Sequence, residues 1–430
     1  MRKITFIGGG SAKFVYELVR DVLSFEELRE THICLMDIDA ERLARAQTVV
    51  RKMIDDLRIG ATVETTLDQR AALDGADYVI VTIMVGGFDR YRSDGEIPAK
   101  YGVLPTVGDT IGPGGVFRLV RNAPVFEQMA DNLRQVAPDA LVLNYANPLA
   151  MNCWALTAYG HRRTVGLCHS IQGTARMFAG WLGLPPEEVR YTAGGLNHVN
   201  YYLTLTHNGQ DLYPRLLAMK DERLATDPHL RVWFELLEHL GHWPAEGPHH
   251  QSEYYPWFRK NQQAVDHYAV ESFWGYHFDM KINAWRVAEV DDMVAGRKPI
   301  DYARGLEYGS YIIHSIETHT PRLFYGNVPN EGLIDNLPPD AVVEAPCHVD
   351  ADGVMPCKVG TIPPQLAAVM TPHVHVHRMA MEAVMRKDRR LLRLAIQADP
   401  LTAMVCTLPQ IAQMVDEMMA DNAGYLEGWA

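Results

Sequence analysis

The residues best suited to chemistry fall into two groups. In the first, Gly8-Gly9-Gly10-Ser11 follows a short apolar run, and Asp37 stands 27 residues beyond Gly10. Gly8 and Gly10 at a strand-to-helix turn let backbone approach a pyrophosphate. The helix that Ser11 opens offers free N–H groups and the positive end of its dipole. An acid ending the second strand accepts hydrogen bonds from ribose hydroxyls and disfavours a 2′-phosphate, so the pattern reads as a site for NAD rather than NADP. Lys13 replaces the third glycine of the fingerprint. A plain glycine turn beside a surface Asp is the competing reading.

The second group stands where strand patterns end: Asn144-Tyr145-Ala146-Asn147-Pro148, Cys168-His169-Ser170 and Gly194-Gly195-Leu196-Asn197-His198. A thiolate and an imidazole are suitable ligands for a divalent transition metal. Spacing alone leaves the pairing of Cys168 with His198 open, because a lone Cys at a strand end is more often a small core residue.

The elements that must position these residues alternate. Lys3–Ile7, His32–Met36, Asp77–Val81, Ala140–Asn144 and Thr164–Cys168 are short apolar runs of strand length. Between them, Phe14, Val15, Leu18, Val19 and Val22, then Leu43, Ala46, Val50, Met53 and Leu57, recur at helical spacing. Such alternation predicts an α/β fold with a doubly wound parallel sheet, which places ligands at the strand ends. Beyond about residue 195 the pattern is less regular, with a strand at Tyr201–Thr206 and helices at Leu306–Ile316 and Leu391–Thr402. No repeat or linker intervenes, so a second α+β domain packed on the first is expected, divided at 1–195 and 196–430.

With 40 basic against 53 acidic residues, a net of −13, clustered positive charge for nucleic acid or an anionic membrane is not expected. No apolar stretch approaches the ~18–20 residues of a membrane span. Six cysteines are scattered without framework spacing, and the N-terminal apolar run is too short for a signal peptide. The expectation is a cytoplasmic enzyme.

Longer stretches resemble glycoside hydrolase family 4, the NAD- and metal-dependent glycosidases, nearly end to end. They are Ile7-Gly8-Gly9-Gly10-Ser11, Asp109-Thr110-Ile111-Gly112-Pro113-Gly114-Gly115-Val116-Phe117-Arg118, Asn144-x-x-Asn147-Pro148, Cys168-His169-Ser170-Ile171 and Gly195-Leu196-Asn197-His198. Further on come Ser252-Glu253-Tyr254, Arg304-x-x-Glu307-Tyr308, Asn327-x-x-Asn330-x-Gly332 and Val343-Glu344-x-Pro346. The resemblance implies a Rossmann-type N-terminal domain related to lactate and malate dehydrogenases. It implies Cys168 and His198 as ligands of Mn²⁺ or another divalent metal, and Tyr254 as catalytic base. Asn147 and Arg304 are its substrate-binding positions, with His169 beside the metal Cys taken as a third; Asp109, before the Gly112-Pro113-Gly114-Gly115 loop, reads either as a substrate- or base-orienting residue or as a plain turn Asp. Members acting on phosphorylated sugars carry Asn or Asp after the metal Cys, some of them with that Asp as general acid. Here the position is His169, so the proton donor is not assigned by the resemblance.

The implied reaction is hydrolysis without net redox change. NAD⁺ oxidises C3 of the sugar, Tyr254 removes the acidified C2 proton, the aglycone is eliminated, and water and hydride are then returned. Cys168-His169-Ser170 resembles the members acting on non-phosphorylated α-glycosides, with α-galactosidase the leading expectation. An α-glucosidase or a uronic-acid α-glycosidase is the alternative within the family, and an ordinary NAD-dependent sugar or hydroxy-acid dehydrogenase the alternative outside it. The resemblance implies a sugar as partner and a homodimer or homotetramer. His373-x-His375-x-His377 reads as surface or packed histidines, His250 as a possible pocket residue, and Cys347 and Cys357 as structural.

Overall fold

A computed structural model describes residues 1–430. Its strands are β1 (Arg2–Ile7), β2 (Thr31–Met36), β3 (Thr62–Thr66), β4 (Tyr78–Val81), β5 (Leu141–Asn144), β6 (Thr164–Gly166), β7 (Val189–Leu196), β8 (Val199–His207), β9 (Gln210–Asp211), β10 (Arg322–Pro329), β11 (Val342–Asp350) and β12 (Gly353–Pro356). All belong to one sheet. The first six are parallel in the order β3-β2-β1-β4-β5-β6, the dinucleotide-binding order with its switch point between β1 and β4.

Alternation along the strands builds two cores. Ile4, Phe6, Ile33, Leu35, Ile80 and Leu143 share one with Val15, Leu18 and Val19 of the helix Ala12–Leu23. Ile7, Cys34, Met36, Val79, Val81 and Val142 face the opposite core with Phe126, Met129 and Leu133 of the helix Gly112–Val136. Both faces are covered, so the strands read as continuous apolar runs.

The sheet continues antiparallel from β6 through β10, β11, β7 and β8. The expected division at 195/196 falls at the end of β7, inside the β7–β8 hairpin, and strands from both sides of it share the sheet. The largest core packs this half against the helix Pro364–Arg386 and the C-terminal helices. The helix expected at Leu391–Thr402 is two, Arg389–Gln397 and Pro400–Val405, because Asp399-Pro400 interrupts the first and caps the second. No helix is long and apolar enough to cross a membrane.

Candidate active site

Three loops bring the metal-ligating side chains together. Cys168 follows β6, whose end is fixed to the neighbouring strand by the Leu167 N–H donating to Asn144 O at 2.9 Å. His198 lies in the two-residue turn between β7 and β8 with φ +66°, a left-handed conformation that costs a non-glycine residue about 1–3 kcal/mol. Gln251 Nε2 donates to the His198 carbonyl at 2.9 Å and helps hold it there. The third side chain, Glu246, precedes the helix Pro248–Glu253, and its main-chain oxygen accepts from Trp233 Nε1 at 2.7 Å.

The three donor atoms form a triangle. Cys168 Sγ is 3.9 Å from His198 Nε2 and 4.0 Å from Glu246 Oε2, and the latter two are 3.3 Å apart. Ligands at about 2.0–2.3 Å around one cation sit at such mutual distances. The chemistry fits as well. Burial pushes His198 down to about 4, so its imidazole is neutral and free to ligate. Burial, then Glu246 and Glu344, push the Cys168 thiol well above its usual range. A thiolate in such surroundings calls for a cation. These residues therefore suit a divalent metal. Glu246 carries no periodicity or motif in Pro244-Ala245-Glu246-Gly247-Pro248, which reads as a turn, and the sequence alone did not single it out.

Tyr254 ends the helix Pro248–Glu253 with its ring edge-on to His198, centroids 6.4 Å apart. Its hydroxyl donates to Thr110 Oγ1 at 2.9 Å, and the same oxygen lies 3.4 Å from His198 Nδ1. Burial, with Glu253, Asp109 and Glu246 nearby, raises the phenol well above 10. It stays protonated until positive charge enters the cluster. His373 Nε2, on the helix Pro364–Arg386, reaches Tyr254 O at 2.8 Å, so this histidine is a packed support for the tyrosine.

Asp109 is brought to the cluster but does not touch Tyr254. Its Oδ2 accepts from Asn147 Nδ2 at 2.7 Å and Arg118 Nη1 at 3.2 Å, while Oδ1 is buried without a protein partner. Burial opposes its charge, yet Arg118, His250 and His198 hold the carboxyl below its ordinary value. The His250 ring packs tilted against His198 with centroids 4.0 Å apart, which puts it in the pocket. Glu253 organises the loop that carries Asp109 and Thr110. Its Oε1 accepts from the Thr106, Val107 and Gly108 amides, the last two at 2.8 and 3.1 Å.

The remaining expected residues divide. His169 is exposed and its Nδ1 lies 3.3 Å from Glu307 Oε1, which raises its pKa. Arg304, expected at the substrate, is not brought to the cluster. Its guanidinium stacks 3.4 Å from the Phe25 ring centroid and donates to Ser24 Oγ and O. Cation–π attraction and the two hydrogen bonds direct it away. The loop itself does reach the site, through Glu307.

At the other end of the sheet's carboxyl edge, Gly8 has φ +92°, and a Cβ there would lie 2.9 Å from the Thr82 carbonyl. At Gly10 a Cβ would lie 2.8 Å from Asp37 Oδ2, the oxygen that accepts the Gly10 N–H at 2.9 Å. Ser11 Oγ caps the helix Ala12–Leu23 by accepting from Phe14 N at 3.3 Å. The turn therefore leaves backbone open at a helix start at the switch point, as a pyrophosphate requires.

Residues 3–184 match the model of family 4 glycosyl hydrolases, and residues 193–402 match that of the family 4 C-terminal domain. An α-galactosidase of Rhizobium meliloti is 36% identical, over 100% of this chain and 90% of its own. One of Bacillus subtilis is 34% identical over 99% of both. The 6-phospho-β-glucosidase of Thermotoga maritima, solved with manganese, NAD⁺ and glucose-6-phosphate, superposes with a TM-score of 0.82 at 23% identity, over 98% of this chain and 99% of that one. The malate dehydrogenase of Plasmodium falciparum, at 12% identity over 91% of this chain and 100% of that one, shares the fold more distantly, with a TM-score of 0.53. The chain belongs to family 4 of the glycosyl hydrolases.

Proposed function

We propose that the protein is an NAD- and Mn²⁺-dependent α-galactosidase acting on non-phosphorylated α-glycosides. The observation that carries the reading is the triangle of Cys168, His198 and Glu246 faced by the Tyr254 hydroxyl through Thr110. Full-length relatives named α-galactosidase at 34–36% identity favour galactose over glucose or a uronic acid.

Cys168, His198 and Glu246 would hold the metal, and the Gly8–Ser11 turn with Asp37 the dinucleotide. When bound, these groups supply a Lewis acid and a hydride acceptor. The chain's own side chains do the rest. Tyr254, ionised to the phenolate once positive charge occupies the cluster, would take the proton from C2, and Thr110 Oγ1 fixes the direction of its oxygen. Asp109 Oδ1, held charged by Arg118 and free of protein partners, accepts a sugar hydroxyl, and Asn147 keeps the carboxylate turned inward. Arg304 has no part in this reading.

The reading includes a reducing compartment, the cytoplasm, because Cys168 must remain a thiol. It also includes a homodimer or homotetramer. The helix Trp274–Val294 buries only Gly275, Glu289, Val290 and Met293, leaving Phe278, Met280 and Trp285 exposed. Light scattering of the purified protein measures the assembly.

The test is a panel of p-nitrophenyl α-galactoside, α-glucoside, α-galacturonide and a 6-phosphoglucoside with Mn²⁺, NAD⁺ and dithiothreitol. The α-galactoside should be cleaved fastest with no net absorbance change at 340 nm. Preference for a phosphorylated or uronic sugar would overturn the substrate. Stoichiometric NADH formation would make the protein a dehydrogenase.

A further inference from the structure

Two late sequence motifs, Asn327-x-x-Asn330 and Val343-Glu344-x-Pro346, have no part in the site described so far. The sheet brings one residue of each onto a single row. Gly166 of β6 pairs with Asn327 of β10, Asn327 with Glu344 of β11, Glu344 with Gly195 of β7, and Gly195 with Asn200 of β8. Residues directly opposite one another across strands put their side chains on the same face, so Asn327, Glu344 and Asn200 stand together. The row passes close to two of the metal ligands. Cys168 follows Gly166 by two residues, and His198 precedes Asn200 by two.

Glu344 is fully buried, as are Asn327 and Asn200. Its Oε2 accepts from Asn200 Nδ2, and the Asn197 and Asn327 side chains face the same carboxyl. Asn197 Nδ2 and Asn327 Nδ2 have no partner elsewhere, so this carboxyl is the acceptor within their reach. Asn197 and Asn200 flank His198 in the β7–β8 turn, where the left-handed backbone of that ligand persists only if its surroundings hold it. Asn327 lies against the strand that leads into Cys168. A Cβ at Gly166 would lie 2.9 Å from Asn327 Cβ, so β6 and β10 are in closest approach there. One carboxyl therefore joins the turn that carries His198 to the strand that leads into Cys168. Asn330 instead holds its own loop, donating to Ile334 O at 3.0 Å.

We propose that Glu344 is a positioning residue of the metal centre. By gathering Asn197, Asn200 and Asn327 it sets the separation of Cys168 from His198, and with it the affinity for a divalent cation. The proposal rests on the metal-dependent reading above. Groups that hydrogen-bond around metal ligands change metal affinity by ~10–100-fold when removed. In this role Glu344 acts through the asparagines and not on the substrate.

The test measures Mn²⁺ affinity by titration calorimetry and the thiolate-to-cobalt charge-transfer band of the Co²⁺-loaded protein. Glu344→Leu keeps the bulk but accepts no hydrogen bond. It should bind Mn²⁺ at least ~10-fold more weakly, with NAD⁺ affinity within about twofold and a weakened cobalt band. Glu344→Gln keeps an acceptor for Asn200 Nδ2. It should restore the band and bring Mn²⁺ affinity to within about threefold of the wild type. If Glu344→Leu does not fold, Asn327→Leu, which loosens the β6–β10 side alone, should show the same pattern of losses. A lower melting temperature with Mn²⁺ affinity and cobalt band unchanged would mean that the row only supports the sheet, and would overturn the proposal. So would a Glu344→Gln variant as weak as Glu344→Leu, because charge rather than hydrogen bonding would then act. A wild type that binds neither Mn²⁺ nor Co²⁺ would overturn the metal reading itself, and the proposal with it.

Discussion

Glu246 Oε2 stands 3.3 Å from His198 Nε2, although the two residues are 48 positions apart and lie on unrelated loops. The contact adds a carboxylate to a thiolate–imidazole pair, and an oxygen donor favours Mn²⁺ over softer ions. Glu246→Gln should weaken Mn²⁺ binding at least ~10-fold while leaving NAD⁺ affinity within twofold, both measured by titration calorimetry. Unchanged Mn²⁺ affinity would remove Glu246 from the site.

Metal uptake should depend on pH through Cys168. Its thiol is raised by burial and carboxylates, whereas His198, near 4, is already neutral above pH 5. Binding must therefore release about one proton, and affinity should rise roughly tenfold per pH unit between pH 5 and 8. Buffers of different ionisation enthalpy measure that proton. In Cys168→Ser the dependence should vanish, activity should be lost, and NAD⁺ binding should remain.

Tyr254→Phe removes the hydroxyl that Thr110 orients but keeps the ring against His198 and His373. The expected outcome is a ~10²–10⁴-fold loss of kcat with an unaltered melting temperature. The wild type should show a primary isotope effect with C2-deuterated substrate. Its absence would mean that another step, or another base, limits the reaction.

Gly10→Ala places a methyl 2.8 Å from Asp37 Oδ2 and 2.6 Å from Arg42 Cβ. The turn must open, so NAD⁺ affinity should fall tenfold or more while Mn²⁺ affinity is retained. Fluorescence titration with NADH reads the first and calorimetry the second.

Glu253→Ala deprives the Thr106, Val107 and Gly108 amides of their buried acceptor. Each lost partner costs about 1–3 kcal/mol. Chemical denaturation should show a loss of a few kcal/mol, and kcat should fall as Thr110 loses its place. Burial raises Glu253 to about 7. Its folded value thus exceeds the unfolded one, so its contribution to stability is full below about pH 4.5 and lost as pH rises through 7. The wild type should therefore lose stability across that window more steeply than Glu253→Gln.

Local pattern was enough for all but the edge of the N-terminal sheet. Continuous apolar runs mark β1, β2, β4 and β5 because both faces of those strands are covered, and the glycine turn with Asp37 follows from backbone geometry near β1. Strand β3, Thr62–Thr66, was not legible, since it lies at the sheet edge with half-exposed polar side chains and no apolar run. Cys168 and His198 stood out by residue type, but nothing in their spacing joined them. Glu246, Thr110 and the Glu253 cradle came together only when β6, the β7–β8 turn and the segment 246–254 converged across one continuous sheet. Arg304 shows the reverse. Its motif pointed to the substrate, yet the ring of the buried Phe25 and the Ser24 acceptors claimed the guanidinium. Residue type and period determine which groups can ligate and which strands form. Contacts between loops far apart in sequence decide which of those groups meet, because they depend on packing that no local pattern encodes.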